Sequence, residues 1–213
     1  MEQQAGPDTA NAILDAARTC LLTDGYAGLS TRKIAQEAGV PLSQVHYHFG
    51  SKRSMLLALL DVENERRLSR QSTMYAQDTP LWQRYEQACD FLEDDLESGF
   101  VRVLQEMTAA GWSAPDIAEA ARTILIGWFE LLTEVAGEAQ ARFGGLGPFT
   151  PAEVATLIGM VFLGAESLLL LGFDRQQLPI RSSLRRIGEA IRLAETARAA
   201  PANGRPRGKA VTR

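Results

Sequence analysis

The fold is decided by the stretch LSTRKIAQEAGVPLSQVHYHFGSK, which runs from Leu29 to Lys52. Ser30 or Thr31 can cap a first short helix, because a side-chain oxygen there accepts a hydrogen bond from a free N–H group of the first turn. Gly39 tolerates the positive φ at which this helix must stop. Pro41 suits the opening turn of a second helix, where its missing N–H has no partner to lose. The stretch therefore predicts two short helices joined by a tight turn.

The second of these helices is predicted to run from Leu42 to Phe49 and to end at Gly50. Val45 and Phe49 are four residues apart and share its inward face. Ser51 can cap the helix that follows. Two short helices in this arrangement form a helix-turn-helix, whose second helix enters the major groove of DNA. Mostly polar side chains remain for its outward face and its ends: Ser43, Gln44, His46, Tyr47 and His48.

The same stretch carries a resemblance to a known family. The elements that match at fixed spacing are Leu29-Ser30-Thr31-Arg32-Lys33-Ile34-Ala35, Gly39-Val40, Val45-His46-Tyr47-His48-Phe49 and Lys52. From Ala10 to Leu60 the chain resembles the N-terminal domain of tetracycline-repressor-type (TetR family) regulators. Two residues depart from the usual pattern: His46 stands where an aromatic such as Tyr is most common, and Val45 replaces Leu or Ile.

The resemblance implies an all-α fold of about nine helices. An N-terminal three-helix helix-turn-helix DNA-binding domain is followed by a C-terminal helical ligand-binding and dimerisation domain. It also implies contacts with double-stranded DNA. Arg32, Ser43 and Gln44 match positions that reach bases, and Tyr47 and Lys52 match phosphate contacts. The full set of implied DNA-binding residues is Thr31, Arg32, Ser43, Gln44, His46, Tyr47, His48 and Lys52. Whether the two histidines contact DNA or only cap and pack against neighbouring helices is left open.

Helical segments continue along the chain, and no strand pattern interrupts them. The further segments are predicted at Thr9 to Thr23, Ser51 to about Thr73, Leu81 to Ser98, Phe100 to Ala110, Pro115 to Phe143, Pro151 to Leu171 and about Pro179 to Arg198. The long helix after Ser51 is apolar at its start and charged from Glu63 to Arg70, which suits a helix that connects two domains. We predict a DNA-binding domain at 9–56, called the head below, and a ligand-binding and dimerisation domain at 57–198, called the body. A disordered basic tail is predicted at 199–213.

The segment from Val154 to Phe173 is apolar enough to raise the question of a membrane span. Glu166 and Ser167 interrupt it, and no cluster of positive charge flanks it closely. A helix that is apolar on all sides also suits a buried interface, and we predict an interface and no membrane. In the family resembled, the last two long helices form the homodimer as a four-helix bundle. Two-fold symmetry then predicts a palindromic operator.

Large apolar side chains and isolated acids mark the body as the place for a small-molecule effector. A mainly apolar cavity with a few polar anchors is the usual ligand site between helices. The candidate ligand-binding residues are Trp82, Phe100, Met107, Trp112, Trp128, Phe129, Phe162 and Glu166. Each aromatic has a competing interpretation as a plain core residue. Glu166 either binds a cation or pairs with an arginine across the dimer.

Charge is distributed unevenly along the chain. The segment from Thr9 to Leu56 has a net charge of +2, and that from Asp61 to Ala197 a net charge of −9. The last sixteen residues have five basic side chains and no acidic one. An acidic body on a mildly basic head does not attract DNA indiscriminately. Contact with DNA is therefore expected to be local.

Composition indicates a small cytoplasmic regulator. The first ten residues are polar and do not resemble a signal peptide. Cys20 and Cys89 are too few and too far apart for a disulfide framework or a metal site, and we predict neither a metal nor a cofactor. The body has no metal-ligand spacing, glycine-rich phosphate loop or nucleophile elbow, and both histidines lie in the head. An enzyme is therefore disfavoured.

We predict a ligand-responsive transcriptional regulator, a repressor that binds its operator as a homodimer and is released by a small molecule. The alternative is a DNA-binding adaptor regulator without a small-molecule ligand.

Overall fold

The structure is a computed structural model that describes residues 7–199. Within this range the chain is all-helical, as predicted. The helices are α1 (Pro7–Gly28), α2 (Thr31–Glu37), α3 (Leu42–Phe49), α4 (Lys52–Tyr75), α5 (Leu81–Glu97), α6 (Phe100–Gly111), α7 (Pro115–Phe143), α8 (Pro151–Leu170) and α9 (Ile180–Ala199). The predicted tail at 199–213 lies outside the described residues, apart from Ala199 at the end of α9.

Helices α2 and α3 begin and end close to where their caps predict. Ser30 caps α2, because its side-chain oxygen accepts a hydrogen bond from the N–H of Lys33 at 3.3 Å. Gly39, with φ 65°, makes the turn between the helices. Pro41 stands directly before α3 in an extended conformation and is not part of its first turn. Gly50, with φ 70°, ends α3.

Helix α1 differs from its prediction at its C-terminal end. The predicted stop at Asp24 and Gly25 is a kink, at which Gly25 adopts φ 69° and ψ 175° and the helix continues to Gly28. The N–H of Tyr26 donates to the Glu106 carboxylate of α6 at 3.2 Å. A backbone donor displaced from the helix by the kink therefore finds its partner on another helix, which sequence periodicity does not reveal.

The first of two hydrophobic cores is shared between the head and the body. The head contributes Ile13, Leu21, Ile34, Val45, Met55 and Leu56, and the body contributes Phe100, Val103, Leu104, Met107, Ile117 and Ile124. Each such side chain contributes on the order of 1.5–3 kcal/mol when it is fully buried. The three-helix head is therefore seated on α6 and α7 by apolar packing, and is not joined to the body by α4 alone.

The second core lies among α5, α7, α8 and α9. Its buried members include Tyr85, Cys89, Leu92, Trp128, Phe162 and Leu184. Helices α7 and α8 approach closely at Gly159, where an added Cβ would come within 2.1 Å of the Phe129 ring. Helix α8 begins with a capping box, in which Thr150 and Glu153 bond to each other's backbone N–H groups.

Arg84 fixes the turn between α4 and α5 to α7. Its guanidinium is buried and donates to the backbone oxygens of Tyr75 and Thr79 at 2.9 and 3.0 Å. Two further bonds of 2.7 Å reach the carboxylate of Glu138 on α7. These hydrogen bonds from Arg84 lower the pKa of Glu138, because they stabilise its ionised form.

Among residues 7–199, α8 is the helix that is long and apolar enough to cross a membrane by length and composition. An 18-residue stretch of this helix has a mean hydropathy of 1.7, and 28% of the stretch is buried within the chain. Several of its large apolar side chains face outward: Leu157, Met160, Val161 and Leu170. The helix therefore has an apolar surface beyond the one that packs on α7.

Candidate functional site

The outward face of α3 carries the side chains that the helix-turn-helix prediction singles out. Tyr47 is 75% exposed, and its ring meets the edge of the His48 ring at a centroid distance of 5.2 Å. Ser43 and His46 are exposed on the same short helix, and Arg32 is exposed at the start of α2. The face therefore presents a hydroxyl, an imidazole, a phenol and a guanidinium to solvent.

Three other predicted DNA contacts are half-buried. Thr31 lies in the first turn of α2. Gln44 Oε1 and His48 Nε2 are both shielded from solvent and have no hydrogen-bond partner within the described part of the chain. His46 differs from these, because its Nδ1 lies 3.0 Å from the backbone oxygen of Gly50. The capping interpretation of His46 therefore has a contact to support it, and the role of His48 stays open.

Lys52 is engaged within the protein. Its Nζ donates to the backbone oxygen of Tyr26 at 2.9 Å and lies 4.6 Å from the centre of the Tyr26 ring. Partial burial lowers the pKa of this ammonium group. The predicted phosphate contact therefore requires Lys52 to share or exchange its bond to Tyr26. Lys33 is also paired, with Asp24 at 3.0 Å.

The eight candidate ligand residues are distributed over three environments. Phe100 and Met107 belong to the first core, and Trp128, Phe162 and Glu166 to the second. Phe129 packs against the second core and contacts Trp128, with 5.4 Å between ring centroids. The structure therefore brings most of the set into the interior of the body.

Two of the candidates lie apart from that group. Trp82 is half-buried at the start of α5, where its backbone N–H donates to Glu195 of α9 at 3.2 Å. Trp112 is 84% exposed in the turn between α6 and α7. Its side chain does not line an interior cavity in this conformation.

The centre of the interior group is a residue that the sequence analysis did not select. Arg67 of α4 is 5% exposed, and its guanidinium carbon lies 5.2 Å from the Phe100 ring centre and 4.9 Å from that of Trp128. Its nitrogens lie 3.4 Å from a Glu166 oxygen and 3.6 Å from an Asp95 oxygen. Arg67 therefore links α4 to α5, α6, α7 and α8 through one side chain.

Glu166 is fully buried and has two polar partners. One oxygen pairs with Arg67, and the other accepts a hydrogen bond from Gln105 Nε2 at 3.1 Å. Ser167 Oγ in turn donates to Gln105 Oε1 at 3.1 Å. Burial raises the pKa of the Glu166 carboxyl, and Arg67 opposes that shift by stabilising the ionised form. Of the two expectations for Glu166, it pairs with an arginine, but with one of its own chain.

An enclosed cavity of about 10 Å³ adjoins the cluster formed by Arg67, Asp95, Glu166 and the rings of Phe100 and Trp128. That volume is close to the smallest that holds a single water molecule. Its lining includes Arg67, Gln71, Trp128, Phe162 and Glu166. Gln71 is 5% exposed, and its Oε1 atom has no hydrogen-bond partner within the described residues. The cluster therefore combines two acids, an arginine, aromatic rings and one unsatisfied acceptor.

The spacing of buried residues on α4 indicates that Arg67 lies on the inward face of this helix. Leu60, Arg67 and Met74 are seven residues apart and lie on one helical face, and all three are buried. Arg67 was missed because the charged run from Glu63 to Arg70 suggests a solvated surface. Asp95 and Gln105 carry no comparable signal, because their partners lie on other helices.

Helix α6 contacts both the cluster and the head. Gln105 bonds to Glu166 inside the body, and the next residue, Glu106, accepts the hydrogen bond from Tyr26 at the kink of α1. A second link joins Arg18 of α1 to the backbone oxygen of Ser98 and to Glu63, the latter at 3.5 Å. Polar contacts therefore connect α1 directly to α6 and α4.

Comparison with known proteins agrees with the helix-turn-helix. A family model described as bacterial regulatory proteins, tetR family, matches residues 13–59. These residues run from α1 through α3 to the first third of α4, and they include the whole outward face of α3. A search of curated proteins gave no significant match.

Solved structures share the fold over most of the chain. A TetR family transcriptional regulator from Agrobacterium tumefaciens has 19% identity and a TM-score of 0.72, covering 84% of this chain and 97% of its own. A Saccharomonospora viridis protein in complex with choline has 20% identity and a TM-score of 0.72, covering 86% and 97%. FadR of Bacillus subtilis, in complex with stearoyl-CoA, has 16% identity and a TM-score of 0.70, covering 85% and 96%.

The family match lies on the segment whose caps, turn and outward face were derived above from the residues themselves. The solved structures extend the likeness of fold to the helical body. Residues 13–59 of the chain therefore form a helix-turn-helix segment that matches the tetR family of bacterial regulatory proteins, and the described chain shares the fold of solved TetR-family structures.

Proposed function

We propose that the protein is a ligand-responsive repressor that binds a palindromic operator as a homodimer. A small molecule bound in the C-terminal domain releases it from the operator. The observation that carries the DNA-binding part is the outward face of α3, where Tyr47 and Ser43 are exposed and free to reach a groove. Because it acts on chromosomal DNA, we place the protein in the cytoplasm. We propose that it acts by binding and is not an enzyme.

The proposed DNA contacts divide by role. Arg32, Ser43 and Gln44 read base edges, because guanidinium, hydroxyl and amide groups match donor and acceptor patterns in the major groove. Tyr47, Thr31 and Lys52 contact the phosphate backbone, which positions the helix without reading sequence. His46 and His48 complete the proposed set at the C-terminal end of α3.

The proposed homodimer uses the outward apolar surface of α8 together with α9. Met160 and Val161 are exposed on α8, and Leu193 is exposed on α9. Contiguous apolar surface of this kind marks an interaction site in a soluble protein. Two recognition helices related by a two-fold axis then face two half-sites, about one helical turn or a multiple of it apart.

The proposed release depends on the connection between body and head. The shared first core, the Glu106 bond to Tyr26 and the Arg18 contacts all join α1 to the body. A ligand that binds better to a second arrangement of α4 and α6 shifts the heads away from the spacing of the two half-sites. Two solved structures with this fold are complexes with small molecules, choline and stearoyl-CoA.

One observation favours the second candidate function, an adaptor regulator without a small-molecule ligand. The enclosed cavity in the body is about the size of one water molecule, and the charged groups around it pair with one another. A drug-sized ligand needs a cavity of roughly 300 Å³ or more. An adaptor shows no change in operator affinity or thermal stability with any compound of a chemically diverse panel.

Selection of bound sites from random duplex DNA tests the proposal. We expect an inverted repeat, and sedimentation equilibrium is expected to give a dimer. Ser43→Ala should relax the base preference at one position of each half-site, and Ser113→Ala, an exposed serine in the turn between α6 and α7, should leave the selected sequence unchanged. A monomer that selects no repeat would contradict the homodimeric repressor.

A further inference from the structure

The environment of the Arg67 guanidinium has the chemistry of a binding site for an organic cation. The guanidinium lies over the rings of Phe100 and Trp128, at 5.2 and 4.9 Å from their centres. The carboxylates of Asp95 and Glu166 lie within 4 Å of its nitrogens. Aromatic faces attract cations through their ring quadrupole, most strongly where the pair is shielded from water. The side chain of Arg67 therefore occupies a cation site.

Arg67 does not satisfy this site completely. Its contacts with Glu166 and Asp95, at 3.4 and 3.6 Å, are longer than the roughly 2.7–2.9 Å of a good charge-assisted hydrogen bond. Gln71 lines the same enclosed cavity, and its Oε1 atom has no donor within residues 7–199. A buried acceptor without a donor destabilises the folded state, because its desolvation is not compensated. Asp95 also accepts a bond from Arg70 at 2.5 Å, so a cation with more freely placed N–H groups improves chiefly the contacts of Glu166 and Gln71.

The chain also offers Arg67 another position. A surface cavity of about 270 Å³ adjoins the guanidinium. Its lining includes the acids Glu63 and Asp95 and three further arginines, Arg18, Arg66 and Arg70. Glu63 is one helical turn before Arg67 on α4, which is the spacing at which side chains of opposite charge meet. In that cavity Arg67 would approach the Glu63 carboxylate, which now pairs with Arg18 at 3.5 Å and with Arg66 at 3.7 Å.

We propose that Arg67 is the internal occupant of a cation site, and that the effector is a small organic cation with N–H donors that takes its place. This inference rests on the proposed function and names the chemical class of its effector, for example an alkylguanidinium or alkylammonium ion. The cation binds over Trp128 and Phe100, pairs with Glu166 and Asp95 and donates to Gln71. The displaced Arg67 moves toward Glu63.

The displacement has a direct route to the DNA-binding head. Arg18 of α1 joins the head to the body through Glu63 and the backbone oxygen of Ser98. When Arg67 approaches Glu63, it competes with Arg18 for the same carboxylate, and one link between α1 and the body weakens. The effector thereby favours a second arrangement of the head because it binds that arrangement better.

Isothermal titration calorimetry of the full-length protein tests the site. The ligands are butylguanidinium and butylammonium chloride, with 1-butanol and sodium butanoate as neutral and anionic controls of similar size. We expect the wild-type protein to bind both cations and neither control. Glu166→Gln removes the buried negative charge and keeps an amide for Arg67 and Gln105, so the affinity for both cations should fall about tenfold or more, the effect of one lost charge-assisted contact.

Arg67→Ala removes the internal competitor. Its affinity for butylguanidinium should exceed that of the wild-type protein by about tenfold or more, because the binding-competent state no longer has to be created. Arg181→Ala is the matched control, since it removes an arginine that pairs with Glu93 at 2.7 Å on the surface between α5 and α9. Its affinity for the cations should equal that of the wild-type protein.

Several outcomes would overturn the inference. No heat of binding with the wild-type protein, or equal binding by wild type and Glu166→Gln, shows that the cluster is not a cation site. Binding of tetramethylammonium as tight as that of butylguanidinium contradicts the requirement for N–H donors. Where circular dichroism shows that Arg67→Ala does not fold, the comparison of wild type with Glu166→Gln decides.

The operator identified by site selection separates this inference from the proposed function. Release of operator-bound wild-type protein by butylguanidinium, and not by 1-butanol, supports the effector role. Calorimetric binding without release overturns that role. Failure to select any operator contradicts the proposed function, and calorimetry then still decides whether the cation site exists.

Discussion

At the scale of single residues, Tyr47 on the outward face of α3 allows DNA binding to be tested without a large change in the stability of the fold. Tyr47 is 75% exposed and meets the edge of the His48 ring, so its side chain contributes little to the stability of the folded state. We expect Tyr47→Ala to weaken operator binding about tenfold, or ~1.4 kcal/mol, through the loss of one phosphate contact. Fluorescence anisotropy with the selected operator measures this change.

The control for Tyr47 is another exposed aromatic residue. Trp112→Ala removes a larger side chain that is 84% exposed outside the helix-turn-helix, and it should leave operator affinity unchanged. The free energy of unfolding of both variants should lie within about 0.5 kcal/mol of the wild-type value, as is usual for surface substitutions. A Tyr47→Ala protein with full operator affinity would remove Tyr47 from the recognition face.

Glu138 gives a prediction for the dependence of stability on pH. Hydrogen bonds from Arg84 lower the pKa of Glu138 below its ordinary value of 4.5. The pair therefore stabilises the fold above pH 4.5, and this contribution is lost as the pH falls through the lowered pKa of the folded state. We expect Glu138→Gln to be less stable than wild type at neutral pH, and the difference to shrink below pH 4.5. Urea denaturation at several pH values measures it, and a difference that does not change with pH would exclude the Arg84 pair as the cause.

At the scale of helices, the contact between α7 and α8 depends on one glycine. An added Cβ at Gly159 would overlap the Phe129 ring, which is itself packed against the second core. We expect Gly159→Ala to lower the free energy of unfolding by about 1–3 kcal/mol, because overpacking forces the ring and the helix apart. Chemical denaturation at a fixed protein concentration measures this loss.

Gly137 provides the matched comparison within α7. An added Cβ there meets nothing within 4 Å, so the substitution changes only the backbone. Gly137→Ala should raise the free energy of unfolding by about 0.5–1 kcal/mol, because alanine loses less conformational entropy in a helix. If both alanine variants shifted stability in the same direction, close packing at Gly159 would not be the cause.

The helices show how far local signals reach. Residues Ser30, Ser51 and Thr150 cap α2, α4 and α8 in the structure, each through a bond to a backbone N–H three residues later. Such bonds involve only neighbouring residues, so the sequence predicts these starts well. The kink at Gly25 could not be predicted in the same way, because Glu106, which bonds to Tyr26 there, is 80 residues away in the chain.

At the scale of the whole molecule, the shared first core makes the head and the body one cooperative unit. Buried side chains of α1 to α4 pack directly against those of α6 and α7. We expect a single calorimetric unfolding transition for the full-length chain, because exposing the head core also exposes the body residues packed on it. Two separated transitions in differential scanning calorimetry would show that the head unfolds independently.

The sequence by itself determined the all-helical class, the helix-turn-helix and the resemblance of that segment to the tetR family, because caps, turns and periodicity act over a few residues. It also predicted that the body holds the acid and aromatic side chains now found around its centre. Only the tertiary structure decided that Arg67 is their common partner. Its contact with Glu166 spans 99 residues. A charged side chain becomes buried only when distant helices supply its partners, and no local pattern specifies that meeting.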